Sequence, residues 1–137
     1  MVVRVAANAS DSEVVSNVRH NYYEWSSDEA SLQSYDVAVQ VPIPFNFTGF
    51  QTGTNVALTL EIKTEENADI NNKIDITSNR DGQATTSSLT AQKSSSAATW
   101  EPIGFDETDS VLAAVAAGEK LNIAVRMYSQ NSKYSRI

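Results

Sequence analysis

The sequence predicts a mostly β protein, an antiparallel β-sandwich of the jelly-roll type with one short helix near residues 109–117. Valine and isoleucine together number 21 against six leucines, and β-branched side chains favour pleated sheets over helices. Serine and threonine are abundant, which suits exposed strand faces and loops. Short runs that alternate between apolar and polar residues recur along the chain, as in half-buried strands.

Alternation places the first strands. Residues 2–5 predict a short strand, and the polar stretch over residues 6–35 predicts no regular element. Residues 35–42 alternate between valine and polar or small residues, which predicts a strand that ends at Pro42 because proline cannot donate a ladder hydrogen bond. Residues 55–64 are the clearest strand, with four aliphatic side chains on one face.

The second half of the chain continues with short strands. Alternation resumes over residues 70–77, and the next polar stretch ends at Asp81-Gly82, a dipeptide that favours hairpin turns. Further strands are predicted at 83–99, where the potential around Leu89 is weak, at 100–105, at 121–127 and, after a turn at 130–132, over the residues up to 137.

One helix of about two to three turns is predicted near residues 109–117. Asp109 can cap its first turn by accepting backbone N–H groups. Gly118 can end it in the left-handed conformation that glycine adopts without steric cost.

A chain of 137 residues fits one domain. Residues 36–137 carry the sandwich pattern. Residues 1–35 are predicted to be an N-terminal arm or long loop that packs on the domain or on a neighbouring subunit, because a structureless segment of this length is unusual inside a compact domain.

The charge and composition exclude several partners. A net charge of −7 repels phosphate backbones and anionic membrane surfaces, so neither nucleic acid nor membrane is an expected partner. No apolar run has the length of a membrane span, and the N-terminus lacks the apolar core of a signal peptide. The absence of cysteine excludes disulfides and zinc–thiolate sites. We therefore expect a protein that is cytoplasmic or assembled in a cytoplasm.

Catalytic and metal-binding patterns are missing. His20 is the single histidine, and no motif surrounds it, so neither a catalytic triad nor a histidine metal site is expected. Two carboxylate clusters, at 65–69 and 106–109, lack the spacing of a calcium loop and are interpreted as a solvated turn and a helix N-terminus, with calcium as the alternative. The chain is predicted not to be an enzyme and to need no cofactor.

Aromatic residues are the candidates for contacts with other molecules, because exposed aromatics are common at interfaces. Core packing is the competing interpretation of the same residues. A carbohydrate-binding module, in which such rings stack on sugars, is the alternative function. The candidate interface residues are Tyr22, Tyr23, Trp25, Phe47, Phe50 and Tyr134.

Three segments resemble small virion structural proteins of tailed bacteriophages. They are residues 23–28 (YEWSSD) leading into 35–42 (YDVAVQVP), residues 56–62 (VALTLEI), and residues 116–126 (AAGEKLNIAVR). The resemblance implies a jelly-roll-like module on a capsid or tail, such as a capsid decoration or cement protein, a head fibre, or a neck or tail component. It further implies self-association, with a homotrimer favoured, and contact with the major capsid or other virion proteins. The expected location is therefore the virion, assembled in the host cytoplasm.

The end of the chain departs from this pattern. Related chains continue with another strand, whereas this sequence stops at Arg136-Ile137. We expect either a short last strand or one that pairs with a neighbouring subunit, because an open strand edge invites uncontrolled pairing.

Overall fold

The computed structural model describes residues 2–6, 13–15, 18–53, 57–68 and 70–137, and these residues form an antiparallel β-sandwich, as the sequence predicts. The strands are β1 (Val2–Ala6), β2 (Glu13–Val15), β3 (Val18–His20), β4 (Tyr22–Ser26), β5 (Gln33–Pro42), β6 (Leu58–Thr64), β7 (Asn72–Arg80), β8 (Thr86–Gln92), β9 (Glu101–Phe105), β10 (Lys120–Ser129) and β11 (Tyr134–Arg136).

The strand order is that of a jelly roll. One sheet has the order β1-β4-β11-β6-β9 and the other has the order β5-β10-β7-β8. If β1 is set aside, strands β4 to β11 supply four to each sheet, and the chain crosses between the sheets at every step except β7 to β8, which form a hairpin. This arrangement confirms the predicted fold class.

The core lies between the two sheets and follows from the alternation in the sequence. Leu121, Ile123, Val125 and Met127 on β10 are at most 3% exposed, because every second residue of a strand points to the same face. On the neighbouring strand β7, Ile74 and Ile76 lie opposite Met127 and Val125 and are fully buried.

The predicted helix is correctly placed, but it is much shorter than two to three turns. It is a single 3₁₀ turn over Leu112–Ala114, and Val115 already has an extended backbone. Asp109 accepts the N–H groups of Val111 (2.9 Å) and Leu112 (3.2 Å), as a capping residue does. A short segment gains too few hydrogen bonds to offset the cost of nucleating an α-helix. Val111 and Leu112 are buried in the core, and Val115 is packed only partly against it.

The segment over residues 6–35, predicted to be irregular, contains regular structure. β4 lies inside the five-stranded sheet between β1 and β11, and β2 and β3 form a short hairpin. β4 shows no apolar–polar alternation that could reveal it, because Tyr22 and Trp25 are both buried although they lie on opposite faces of the strand. The predicted boundary at residue 35 falls within β5, which starts at Gln33.

The last strand is short, and it is paired within its own chain. β11 lies between β4 and β6, so both of its edges are occupied. The strand predicted over residues 55–64 is observed from Leu58 onward, and its first two residues lie outside the described part of the chain. None of the helical segments that the structure describes has the length and hydrophobicity of a bilayer span.

Candidate subunit interface

β5 is the longest strand at a sheet edge. All ten of its residues pair with β10 in one unbroken register, from Gln33 opposite Ser129 to Pro42 opposite Lys120. No strand in the described parts of the chain pairs with the other side of β5. A long, regular strand with a free edge presents a row of unpaired backbone groups that can pair with another chain.

The side chains on the core-facing side of β5 are only partly covered by the five-stranded sheet. Val39 lies opposite Ile123 in the register, yet Val39 is 50% exposed and Ile123 only 3%. Because every second residue of β5 shares this face, four apolar side chains form one line, which we call the β5 row. The β5 row comprises Tyr35 (38% exposed), Val37 (half-buried), Val39 and Val41 (37% exposed).

Phe45 is a second exposed apolar residue, three positions after the end of β5. Its side chain is 93% exposed, the largest exposed fraction among the large hydrophobic residues that the structure describes. The ring lies against the backbone of Gly118, where a Cβ atom would come within 2.8 Å of Phe45 Cε1. Gly118 also has a φ of +81°, so both the turn and the ring position favour glycine.

The opposite face of β5 is polar and is tied to β10. Asp36 receives two hydrogen bonds from Arg126, Nε to Oδ1 at 2.7 Å and Nη2 to Oδ2 at 2.8 Å. These bonds lower the pKa of the Asp36 carboxyl from its ordinary value, against the small opposing effect of burial. Gln40 Nε2 donates to Asn122 Oδ1 at 2.9 Å. These hydrogen bonds hold β5 against β10 from the outer face.

The edge at β8, on the other side of the same sheet, is interrupted. Between the pairs Ile74–Gln92 and Ile76–Leu89, β8 has one more residue than β7, which is a β-bulge. Ala91 lies in this bulge with a φ of +53°, and its N–H donates to Asp75 Oδ1 at 2.7 Å. A bulge disfavours strand addition, so β8 is protected in a way that β5 is not.

The edges of the five-stranded sheet are also less suited to strand addition. β9 is five residues long and contains the exposed Pro102, and proline on an edge strand removes a donor. β1 is equally short. β5 is thus the edge that combines length, a regular register and exposed apolar side chains.

The residues predicted as interface aromatics occupy several different environments. Trp25 is 2% exposed; its ring stacks on Tyr35 at 5.4 Å, and its Nε1 donates to Gln33 O at 3.2 Å. Tyr22 is 5% exposed, whereas Tyr23 is 42% exposed. Trp25 thereby supports the first part of the β5 row from inside the sandwich.

The other three predicted aromatics pack on the domain. Phe47 and Phe50 contact each other edge to face at 4.9 Å and are partly buried against the core. The ring of Tyr134 lies 4.3 Å from the Arg136 guanidinium. The structure does not bring the six predicted residues to one surface, and their role in subunit contacts stays a prediction.

A charged cluster fastens the β2–β3 hairpin to the outer face of the five-stranded sheet. Glu13 Oε1 accepts from Lys63 Nζ at 2.7 Å, and Glu13 Oε2 accepts from Arg136 Nη1 at 2.9 Å and from Trp100 Nε1 at 3.1 Å. His20 on the same hairpin stacks on Trp100 with ring centroids 4.4 Å apart. The single histidine thus takes part in packing.

Burial acts to raise the pKa of the Glu13 carboxyl. The hydrogen bonds from Lys63 and Trp100, together with the positive charges of Lys63 and Arg136, outweigh this effect and hold the pKa below its ordinary value. Glu13 is therefore ionised in the folded protein at neutral pH.

The predicted carboxylate clusters bind groups of the protein itself. Glu65 and Glu66 both pair with Lys133, at 3.0 and 3.3 Å, while Asp69 lies outside the described residues. In the second cluster, Glu107 Oε2 accepts the N–H of Gly53 at 3.0 Å. Among the residues described, no three His, Cys, Asp or Glu side chains are grouped so as to hold a metal ion.

The β5 row was predicted as a strand face but not as an edge. Pro42 could have identified β5 as an edge strand, because proline within a sheet is confined to edge strands, first residues and bulges. Comparisons of the chain with protein-family models, with curated proteins and with solved structures gave no match.

Proposed function

We propose that this chain is a structural subunit that assembles with copies of itself and, as its sequence resemblance implies, serves on a bacteriophage particle as a capsid decoration or cement protein. The observation that carries the proposal is the free edge of β5 with its exposed apolar row. Burying such a row against another protein surface is favourable at roughly 25 cal/mol per Å² of apolar area.

The contrast between the edges of the sandwich supports this proposal. Sheet proteins commonly protect their edges with bulges, prolines or short strands, and β8 and β9 follow this rule. β5 keeps ten residues in register; apart from Asp36 and the terminal Pro42 it carries neither charge nor proline, and its core-facing residues from 35 to 41 are tyrosine and valine. An edge left open in this way suits a strand whose partner is another subunit.

The self-association is tested by size-exclusion chromatography with light scattering. The wild-type chain is expected to be an oligomer, and Val39→Asp, which places a charge in the β5 row, is expected to be a folded monomer. Ile70→Asp is the matched control: Ile70 is also apolar, at 68% exposed, but it lies in the turn before β7, away from β5. A wild-type monomer at all concentrations, or an oligomer that Val39→Asp leaves intact, would contradict the proposal.

The virion role has its own test. Mass spectrometry of particles purified from the phage or prophage whose genome carries the gene is expected to detect the chain at a copy number that scales with a capsid or tail protein. Particles that lack the chain while cells contain it in soluble form would exclude a virion component and leave self-association untouched.

A second candidate function is glycan binding on the outer face of the four-stranded sheet. Small side chains at Ala38 and Ala124 leave a depression of about 390 Å³ there, bordered by the amides of Gln40, Asn79 and Asn122. Amide groups can donate to and accept from sugar hydroxyls. On a glycan array, binding that is lost in Asn122→Ala is the expected result, and no binding to any glycan removes this candidate.

A further inference from the structure

The backbone of β5 has one set of groups facing β10 and another facing outward. Ile43 N–H donates to Glu119 O at 2.8 Å, and Ile43 O accepts from Gly118 N at 3.1 Å, so Ile43 faces the β10 side. In an antiparallel ladder, successive residues direct their N–H and C=O groups to opposite edges. Even-numbered residues of β5 therefore present both groups to the free edge.

The position of Pro42 agrees with this assignment. Pro42 is an even-numbered residue, so its missing N–H falls on the free edge and removes no hydrogen bond to β10. The groups available to a second strand are the N–H groups of Ser34, Asp36, Ala38 and Gln40, and the C=O groups of these four residues and of Pro42.

We infer that two copies of the chain pair through β5, antiparallel to each other, around a two-fold axis at Ala38. The two four-stranded sheets then form one continuous sheet across the dimer. This inference rests on the proposed self-association and specifies its partner, a second copy of the chain, and its register. The homotrimer that the resemblance implies would need a contact of another geometry, because a two-fold contact closes after two subunits.

The apolar side chains select this register. With the axis at Ala38, Tyr35 lies opposite Val41 of the partner subunit, and Val37 lies opposite Val39 of the partner subunit. Every member of the β5 row then faces another member. Moving the axis to residue 37 places Val41 opposite the polar Gln33 of the partner subunit, and moving it to residue 39 places Tyr35 opposite Ile43 of the partner subunit, which is already buried.

The outer face is compatible with the same register. Asp36 lies opposite Gln40 of the partner subunit, a pair that can form a charge-assisted hydrogen bond. An axis at residue 36 would instead place two Asp36 carboxylates opposite each other, and like charges facing across strands are destabilising. At the axis itself, Ala38 is small and exposed, so the two chains can approach without a clash.

Engineered cysteines test the axis, because the natural chain has none and any disulfide must join two subunits. In a hydrogen-bonded antiparallel pair, the Cα atoms are about 5.5 Å apart, within disulfide range. Ala38→Cys is therefore expected to form a disulfide dimer under mild oxidation, seen on a non-reducing gel. Ala124→Cys is the matched control: Ala124 is an exposed alanine paired directly with Ala38, one strand further in. Its two copies would be roughly 15 Å apart, at about 4.8 Å per strand, and should remain reduced.

Mixed cysteine variants test the register. Combining Asp36→Cys and Gln40→Cys chains that differ in tag length should produce the mixed disulfide, while Asp36→Cys alone should stay reduced. A homodimer disulfide of Asp36→Cys, or cross-linking of Ala124→Cys as efficient as that of Ala38→Cys, would overturn the inference. If light scattering finds an oligomer and Ala38→Cys fails to cross-link, the two-fold pairing is wrong and self-association stands. A monomer in light scattering would instead contradict both.

Discussion

At the scale of single residues, Arg136 organises the outer face of the five-stranded sheet. Its Nε donates to Glu24 Oε2 at 2.6 Å, and its guanidinium carbon lies 4.4 Å from the ring centroid of Tyr22. A planar guanidinium can stack on aromatic rings and donate to carboxylates at the same time, which a lysine ammonium cannot do with the same geometry. This position therefore requires arginine.

The Glu13 carboxylate is expected to stabilise the fold by about 1–2 kcal/mol at neutral pH, because Glu13→Gln leaves Lys63, whose side chain is 8% exposed, without its charged partner. Since the pKa of Glu13 is lowered in the folded state, its contribution is complete above the unfolded pKa near 4.5 and is lost as the pH falls through the folded pKa. Urea unfolding of wild type and Glu13→Gln should thus differ at pH 7 and converge as the pH falls below 4.5.

Glu61→Gln is the control for this experiment, since Glu61 is an exposed carboxylate on the same strand as Lys63. It should leave the free energy of unfolding nearly unchanged at both pH values. A Glu13→Gln variant as stable as wild type at pH 7 would show that the hairpin is held by packing alone.

At the scale of elements, the connection between β9 and β10 depends on one aspartate. Besides the two N–H groups of the 3₁₀ turn, Asp109 Oδ1 accepts from Ser87 Oγ of β8 at 2.7 Å. This single carboxylate oxygen therefore links the 3₁₀ turn to the edge strand β8. Val111 and Leu112, at the start of the turn, are buried in the core.

Asp109→Ala is expected to lower the free energy of unfolding by about 1–2 kcal/mol, the usual cost of losing a capping side chain. Asp109→Asn is the matched control, because the amide oxygen can accept the same hydrogen bonds. Thermal or urea unfolding gives the measurement. Equal losses in both variants would mean that the negative charge matters and the hydrogen-bond geometry does not.

At the scale of the whole molecule, the proposed self-association would have to overcome the charge of −7 on each chain. Two like-charged subunits repel each other over about one Debye length, which is about 8 Å at physiological ionic strength. The surface that we propose for the contact is largely apolar, so its attraction is not screened by salt.

Association through β5 is therefore expected to become several-fold tighter when sodium chloride is raised from about 0.05 M to about 0.5 M, since salt screens the repulsion. Analytical ultracentrifugation across this range gives the dissociation constant, and Val39→Asp should stay monomeric throughout. Weaker association at high salt would indicate a contact held by ion pairs rather than by the β5 row.

The fold was largely predictable from the sequence, because period-two alternation has a direct physical cause. β10, with Leu121, Ile123, Val125 and Met127, was placed almost as observed. β4 was not, because Tyr22 packs under Arg136 on the outer face and the five-residue strand therefore shows no apolar–polar alternation. The predicted helix was too long, because capping residues do not show how many residues of a segment will be buried in the core.

The candidate interface was predictable only in part. The alternation of Val37, Val39 and Val41 identified one strand face, but the same pattern describes a face that is fully covered by the second sheet. The predicted aromatics Tyr22 and Trp25 are buried instead, because Arg136 near the end of the chain covers Tyr22 and Trp25 stacks on Tyr35 of the other sheet.

The sequence by itself determined that this protein is a β-sandwich, and it placed the strands from β5 onward near their observed positions, because side-chain alternation and turn residues act over a few neighbouring residues. Only the tertiary structure decided that β5 is an edge, that the second sheet leaves Val39 half exposed, and that Glu13 meets Lys63 and Arg136. These features depend on which distant strands become neighbours, and that is settled by packing the whole chain.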